Sequence, residues 1–296
     1  MALLTPDLLR RLEQFQLLAQ RRAKSSARGE RRSRARGQSV EFADHRNYVA
    51  GDDLRYLDWN LYGRLDRLFL KLYEEERELP VRVFLDASES MSFGTPVKFD
   101  FARQVAAAVG YVALCGFDRV TVVPFPDRAE EAVARGALRA VRGRRTALAM
   151  FQNLSQLEAK GSANLNEALR RGALEARQAG LALVLSDFLD PAGYEDGLTA
   201  LVGRGFQVEV VQVLAPEELE PTTYGDLRLI DAETGGQQEV TFGRYRLAAY
   251  RKTVQNFCQR LREFCAGRGI NYFLVSSATP LEELLLRQLR QAEVWA

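Results

Sequence analysis

Short runs of valine and leucine alternate with longer amphipathic segments in most of the chain after Pro80, and this alternation limits the folds open to it. The apolar runs are as short as strands and almost continuous, which is typical of parallel strands that are buried on both faces. They lie at 81–86, 119–125, 181–187, 206–214 and 270–276. Apolar residues recur with helical spacing at 98–115, 146–157, 165–179, 244–268 and 280–291. We therefore predict an α/β fold with a doubly wound, mostly parallel sheet.

Three parts are predicted. An N-terminal helix and a basic arm make up residues 1–38, and a small accessory β module follows at 39–80. A Gly-containing turn between two short extended pieces indicates a hairpin at 216–242, which we expect to join the β module. The α/β domain then comprises residues 81–215 and 243–296.

The N-terminal helix is predicted over 3–23, with Thr5 as its cap and Pro6 as its first residue. The arm at 21–36 holds eight Lys and Arg residues against one Glu, a local charge of +7. Such an arm could bind nucleic acid, an anionic lipid surface or an acidic partner. A solvated linker that packs on the acidic run at 74–78 is an equal alternative. No aromatic residue lies among the arginines, which disfavours stacking on single-stranded nucleic acid.

Composition and segment lengths favour a cytoplasmic protein with a large core. Of the 296 residues, 47% are hydrophobic, but the longest apolar segment, 105–117, is shorter than the roughly 20 residues that span a bilayer. The N-terminus lacks the apolar region of a signal peptide. The three cysteines show no Cys-x-x-Cys spacing, so we expect neither a disulfide framework nor a zinc site.

Oxygen-bearing side chains follow two of the predicted strands. Asp86, Ser88 and Ser90 occupy alternate positions at the end of the first strand, and Asp187 ends a later one. Ligands of doubly wound sheets bind beyond the carboxyl ends of the strands, and a hard cation such as Mg²⁺ prefers oxygen ligands. The pattern therefore indicates a metal-dependent recognition site, although Asp and Ser also end strands simply as turn formers.

The same residues do not fit an enzyme nucleophile. A phosphohydrolase of the Asp-x-Asp type needs a second carboxylate where Ser88 stands, and a serine hydrolase needs a Gly-x-Ser-x-Gly turn and a histidine. The one histidine, His45, lies far upstream, and the chain has no phosphate-cradling Gly-x-x-x-x-Gly-Lys loop. We predict that the protein is not an enzyme.

These motifs identify a resemblance. The Asp-x-Ser-x-Ser loop on a parallel sheet resembles the von Willebrand factor A domain and its metal-ion-dependent adhesion site. More closely, the chain is similar to a bacterial family of such domains that accompanies MoxR-type AAA+ ATPases and is catalogued as a domain of unknown function. The resemblance covers roughly residues 25–290. It is carried by EFADHRNYVAGDDLRYLDWN (41–60), LYEEERELPVRVFLDASESMSFG (72–94), DRVTVVPF (118–125), LVLSDFLD (183–190) and LIDAETG (229–235).

The resemblance implies a metal-ion-dependent site. Ser88 and Ser90 would coordinate Mg²⁺ or Mn²⁺ through their hydroxyls, Asp86 and Asp187 would act mostly through water, and a carboxylate of a partner would fill the vacant position. The family pattern places a threonine ligand where this chain has Ala163.

Two neighbours of Ala163 bear on that departure. Ser162 is the candidate substitute for the missing ligand, and Asn164 with Glu167 reads as the cap of the next helix. Loss of a ligand should weaken metal binding by about 10 to 100-fold or more.

The resemblance also implies protein partners. The expected function is a non-enzymatic adaptor that works with a MoxR-type AAA+ ATPase in remodelling, or metal insertion into, a client protein. We assign partner contacts to Glu89 and Asn164 at the site and to Arg46 and Arg55 in the β module. The Arg- and Asp-rich segment 46–59 has a structural alternative, a network of ion pairs with Trp59 as a packing anchor. A nucleic-acid or anionic-surface binder that acts through the basic arm is the alternative function.

Overall fold

The computed structural model describes residues 3–15, 17, 40–49, 51–75, 78–126, 140–162, 164–221, 225–230, 236–289 and 294. The chain divides into two compact units. The small unit is Arg22–Glu78, and the large unit combines Met1–Arg21 with Leu79–Ala296.

A six-stranded sheet forms the centre of the large unit, in the order β10-β7-β6-β3-β4-β5. All neighbouring pairs are parallel except β4 and the short edge strand β5, which are antiparallel. The predicted α/β fold with a mostly parallel sheet is therefore confirmed. The strands are β3 Pro80–Asp86, β4 Arg119–Phe125, β5 Val141–Arg142, β6 Leu181–Ser186, β7 Gln207–Leu214 and β10 Asn271–Ser276.

Helices connect these strands. The helices are α3 Lys98–Cys115, α4 Ala147–Gln156, α5 Leu165–Glu175, α6 Glu195–Gly203, α7 Pro216–Leu219, α8 Arg244–Ala266 and α9 Leu281–Glu283. The prediction for α3 is confirmed to the residue, α5 ends four residues earlier than predicted, and α6 was not predicted. The last helix, α9, continues into a π-helical turn at Leu284–Gln288, in place of the regular helix expected over 280–291.

Two apolar clusters cover the faces of this sheet. Val83 and Leu85 of β3 belong to the cluster that contains α3, whereas Phe84 belongs to the cluster that contains α5. Successive side chains of a strand point to opposite faces, so a strand with a core on each side needs apolar residues at every position. This explains the nearly continuous apolar runs of the sequence.

The large unit also contains an N-terminal helix, α1, and a β-hairpin. Thr5 caps α1 and Pro6 begins it, as predicted, but the helix ends at Leu12, and the expected helical structure at residues 13–15 is absent. In the hairpin, β8 Gly225–Ile230 pairs with β9 Gln237–Phe242. Its predicted association with the β module stays a prediction. Among the described residues, none of the helices combines the length and apolar character required to cross a bilayer.

The small unit is built on an antiparallel pair of strands. β1 Val40–Asn47 pairs with β2 Phe69–Glu75, with one irregularity after Phe42. The segment between them contains the 3-10 turn Leu54–Tyr56 and α2 Trp59–Leu65. Leu57 and Leu70 are buried and join in a β-bridge.

Candidate functional site

The candidate site lies where the direction of the chain through the sheet reverses. β3 and β6 are parallel neighbours at the middle of the sheet, and the chain proceeds from β3 to β4 on one side and from β6 to β7 on the other. In open α/β sheets such a switch point leaves a crevice beyond the strand ends, in which ligands bind. β3 ends at Asp86, and β6 ends at Ser186 with Asp187 directly after it. The topology thus places the predicted carboxylates at one crevice.

Asp86 is a buried acceptor that holds the ends of both strands. Its Oδ1 atom accepts a hydrogen bond from the backbone N–H of Ser88 at 2.9 Å, and its Oδ2 atom accepts one from the Ser186 hydroxyl at 2.5 Å. The same hydroxyl accepts the backbone N–H of Phe188 at 2.9 Å. Burial, and secondarily the charge of Asp187, raises the pKa of Asp86 to about 7.

The two serines of the motif form a chain of hydrogen bonds that ends on Asp187. The hydroxyl of Ser90 donates to Oδ2 of Asp187 at 2.9 Å, and the hydroxyls of Ser88 and Ser90 lie 3.0 Å apart. Either hydroxyl could donate within the serine pair, and the side chain of Ser88 also hydrogen-bonds to Asp86. The other oxygen of Asp187, Oδ1, accepts the backbone N–H of Leu189 at 3.0 Å.

A lysine that the sequence analysis did not single out completes this network. The Nζ atom of Lys98 lies 2.7 Å from Oδ2 of Asp187 and 2.7 Å from Oε1 of Glu218. None of the Lys98 side chain is exposed. Burial opposes its charge, but the carboxylates of Asp187 and Glu218 outweigh that effect and raise the pKa of the ammonium group. Lys98 is therefore a buried cation at neutral pH.

Further contacts fix the two acidic partners of Lys98. The second carboxylate oxygen of Glu218 accepts the backbone N–H of Ala215 at 2.7 Å. The backbone carbonyl of Asp187 accepts Nε2 of Gln212 at 3.0 Å, and Oε1 of Gln212 accepts the Tyr272 hydroxyl at 2.6 Å. Neighbouring strands and α7 thus hold the carboxylates in place before any ligand arrives.

The loop before α5 lies beside the motif. The backbone N–H of Glu89 donates to the carbonyl of Gly161 at 2.8 Å, and that of Lys160 donates to the carbonyl of Ala87 at 2.8 Å. Ser162, the candidate substitute ligand, is exposed. Ala163 lies outside the described residues, so its predicted effect on the metal stays a prediction.

Asn164 and Glu89 have different surroundings. Asn164 caps α5, as predicted, because its Oδ1 atom accepts the backbone N–H of Glu167 at 2.9 Å. Glu89 is half-buried within the 3-10 turn Glu89–Ser92, which follows the motif. Partner contact by both residues stays a prediction.

Arg46 and Arg55 belong to the small unit and are engaged there. Arg46 pairs with Asp52 at 2.7 Å, and Arg55 pairs with Asp53 at 2.6 Å. Asp58 accepts the backbone N–H groups of Asn60 and Leu61 and lies 3.0 Å from Nε2 of His45. The predicted network of ion pairs is present.

The other predictions for the segments around this network have separate outcomes. The expectation that Trp59 is a packing anchor is wrong, since Trp59 is 64% exposed. The basic arm at 21–36 lies outside the described residues.

The arrangement of the cluster does not fit a divalent metal ion. Oδ2 of Asp187, the oxygen that meets the serine pair, already accepts bonds from Ser90 and Lys98, and both oxygens of Asp86 accept bonds as well. An ammonium group beside Asp187 also repels a second cation. Within the described residues, no group of three or more His, Cys, Asp or Glu side chains is placed to hold a metal.

Comparisons with known proteins give a family. The family described as "Protein of unknown function DUF58" matches residues 44–260. Two relatives, Uncharacterized protein Mb1516 of Mycobacterium bovis and Uncharacterized protein Rv1480 of Mycobacterium tuberculosis, are each 28% identical over 243 residues, which is 79% of this chain and 74% of theirs.

Similar solved structures include the conserved hypothetical protein BatB from Bacteroides thetaiotaomicron, with a TM-score of 0.42 and 16% identity over 73% of this chain and 97% of that one. The pilus adhesin SpaC from Lactobacillus rhamnosus GG matches with a TM-score of 0.44 and 10% identity over 74% of this chain and 30% of that one. Since the family match covers well over half of the sequence, the chain belongs to the family described as protein of unknown function DUF58.

Proposed function

We propose that this chain is a non-enzymatic, cytoplasmic adaptor that binds two proteins: a MoxR-type AAA+ ATPase and a client that the ATPase remodels or loads with metal. The observation that carries the proposal is the polar cluster at the switch point. It is a hydrogen-bonded network that extends from the buried core to the half-buried Ser90, and its members are Asp86, Ser88, Ser90, Lys98, Asp187 and Glu218. The resemblance to proteins that accompany MoxR-type ATPases supports the identity of the partner. The family match does not name a partner.

The first docking surface is the switch-point rim, which we define as Glu89, Ser90, Phe93 and Leu189. Ser90 connects the buried network to the surface, since it is half-buried and bonded to Asp187. Phe93 is 50% and Leu189 is 47% exposed. Exposed apolar side chains around a small polar centre are characteristic of protein interfaces.

Charge indicates which groups of a partner suit this rim. The carboxylates of Asp187 and Glu218 share one ammonium group, that of Lys98, and Glu89 adds a further acidic side chain. A partner that offers an Arg, a Lys or backbone N–H groups is therefore favoured over one that offers a carboxylate. The grip on a partner's carboxylate through Mg²⁺, which the resemblance implies, is untested, and this charge pattern argues against it.

The second docking surface lies on the small unit. Tyr56 is 51% exposed and Trp59 is 64% exposed, with Tyr62, Leu54 and Leu65 also exposed nearby in sequence. Trp59 and Tyr62 pack edge to face, with ring centroids 6.2 Å apart. Tyrosine and tryptophan contribute more to binding energy than other interface residues. An adaptor needs two separate surfaces, and each unit of this protein offers one.

The site chemistry supports a non-enzymatic role. A serine nucleophile needs a neighbouring base, but the cation beside Ser90 and Asp187 is Lys98, which retains its proton. The one histidine, His45, is bonded to Asp58 in the small unit. The carboxylate that accepts the Ser90 proton, that of Asp187, is itself paired with Lys98 through the same oxygen.

Binding of the MoxR-type ATPase from the same organism tests this proposal. We expect Leu189→Ala or Trp59→Ala to weaken ATPase binding by about tenfold or more in a biosensor assay, as is typical for anchor residues. Leu174→Ala and Tyr245→Ala are matched controls, because these side chains are highly exposed but lie outside both surfaces. We expect them to change the affinity less than about twofold.

The variant that loses ATPase binding shows which of the two surfaces binds the ATPase. The surface whose variant loses ATPase binding serves the ATPase, and the other one serves the client. If wild type, Leu189→Ala and Trp59→Ala bind the ATPase with equal affinity, both with and without chelator, the adaptor proposal is contradicted.

A further inference from the structure

We infer that Lys98 supplies the cation of the switch-point site, so that the site is organised without a divalent metal ion. The ammonium group lies between Asp187 and Glu218 at 2.7 Å from each. Through Oδ2 of Asp187 it is connected to Ser90, and through Ser90 to Ser88. The residues that would bind a metal in an Asp-x-Ser-x-Ser site are thus hydrogen-bonded, directly or through one another, to a side chain that already carries positive charge.

The place of Lys98 in the chain supports this role. It is the first residue of α3, a helix of 18 residues. Partial positive charge accumulates at a helix N-terminus, so a cation there is unfavourable by itself. Complete burial adds a second cost. A lysine in this position needs strong compensation, and the carboxylates of Asp187 and Glu218 provide it.

Lys98 and a metal ion would compete for the same atoms. Oδ2 of Asp187 accepts hydrogen bonds from both Lys98 and Ser90, which occupies its two lone pairs. The hydroxyls of Ser88 and Ser90 lie 3.0 Å apart, so each already has a hydrogen-bond partner. A divalent ion that bound here would have to break these bonds and lie beside an ammonium group. Removal of the lysine charge should therefore create affinity for metal.

This inference does not depend on the adaptor function, because its test contains no partner protein. Mg²⁺ and, separately, Mn²⁺ are titrated calorimetrically into wild type, Ser88→Ala, Lys98→Met, the double variant Lys98→Met with Ser88→Ala, and Lys252→Met. Methionine keeps the length of the lysine stem without its charge. Lys252 is the matched control because it is an exposed lysine of α8.

We expect no saturable heat with wild type or Lys252→Met at millimolar metal. Lys98→Met should gain saturable binding, at least about tenfold tighter than any binding by wild type, and the double variant should lose it again. Saturable binding by wild type that disappears in Ser88→Ala would overturn the inference. A folded Lys98→Met variant that gains no affinity would also overturn it.

Circular dichroism covers the case in which Lys98→Met is unfolded in chelator. If the metal takes the place of the ammonium group, Mg²⁺ should restore the native spectrum, because a ligand that binds only the folded state stabilises it. Failure of Mg²⁺ to restore any native structure would count against the inference.

Discussion

The Nζ atom of Lys98 lies 2.7 Å from Oδ2 of Asp187, and the lysine side chain has no exposed surface. This pair connects the start of α3 to the end of β6, two elements that also approach each other through the apolar core. A buried charge is costly unless it is paired, so each member of the pair depends on the other. The cluster is therefore a structural element of the large unit as well as a candidate binding site.

Replacement of Lys98 by methionine should destabilise the protein strongly. The variant leaves the buried Asp187 and the half-buried Glu218 without their cation, and the loss of one partner from a buried pair costs about 3–5 kcal/mol. Urea unfolding at pH 7 in the presence of chelator measures the change. Lys252→Met should stay within about 0.5 kcal/mol of wild type, as is usual at exposed positions. A loss of less than about 1 kcal/mol in the free energy of unfolding for Lys98→Met would show that Lys98 is not the effective counter-ion of the two carboxylates.

Glu209 on β7 should make the stability depend on pH near neutrality. Its side chain is fully buried, and Oε1 accepts bonds from Gln207 at 3.0 Å and Asn271 at 3.1 Å. In the described part of the structure, Oε2 of Glu209 has no hydrogen-bond partner. Burial raises the pKa of Glu209 from 4.5 to about 7.

The raised pKa of Glu209 determines how the stability of the protein changes with pH. The folded state binds a proton more tightly than the unfolded state, so the free energy of unfolding should fall as the pH rises from about 4.5 to about 7. Glu209→Gln removes the charge and should stabilise the protein at pH 8 by about 1–3 kcal/mol, with little effect at pH 5. Urea unfolding at both values measures this, with the exposed Glu220→Gln as control. An equal effect of Glu209→Gln at both pH values would contradict the prediction.

Two glycines in helices should respond to alanine in opposite directions. A Cβ atom at Gly172 in α5 would lie 2.3 Å from the ring of Phe84, which is completely buried. Gly172→Ala should cost about 1–3 kcal/mol by overpacking, despite the higher helix propensity of alanine. At Gly203, the last residue of α6, no atom lies within 4 Å of the added Cβ, so alanine should be neutral or stabilise by up to about 1 kcal/mol. Thermal unfolding of both variants checks the pair, and a stable Gly172→Ala protein would mean that Phe84 can move.

Ser186→Ala should destabilise the protein, because Asp86 depends on the Ser186 hydroxyl as a hydrogen-bond donor. The serine hydroxyl donates to Oδ2 of Asp86 at 2.5 Å and accepts the backbone N–H of Phe188 at 2.9 Å. Removal of the hydroxyl leaves two buried polar groups unsatisfied, at a cost of about 1–3 kcal/mol. Chemical denaturation measures the loss, with the exposed Ser155→Ala as reference. Indistinguishable stabilities of the two variants would show that water replaces the hydroxyl.

The architecture could be predicted from the sequence because its strands are buried on both faces. The bounds of α3 follow from apolar residues at helical spacing, and those of β4 follow from a short, nearly continuous apolar run. α6 was missed because it is short, carries glycine at both ends of its apolar segment and has few residues for a helical period. The early end of α1 was also missed, because apolar spacing continues into a segment where the backbone does not stay helical.

The candidate site could be predicted only in part. Asp86, Ser88 and Ser90 are close in sequence, and the rule for strand ends adds Asp187. Lys98 was missed because a single lysine at the start of a helix resembles a surface residue. A cation at a helix N-terminus is unfavourable, and this was the one available signal. Its partner Glu218 is 120 residues away, a separation that no local pattern can bridge.

That separation has a consequence for the order of events during synthesis. Lys98 must wait for Asp187, 89 residues later, and for Glu218, 120 residues later, before its charge is neutralised. Domains form as the ribosome extends the chain, and contacts between distant residues close late because they require large loops to be ordered first. A nascent chain that ends before Asp187 therefore offers Lys98 neither carboxylate, and one that ends between Asp187 and Glu218 offers it only one. Only a chain synthesised past Glu218 can form the complete cluster, with both carboxylates on Lys98.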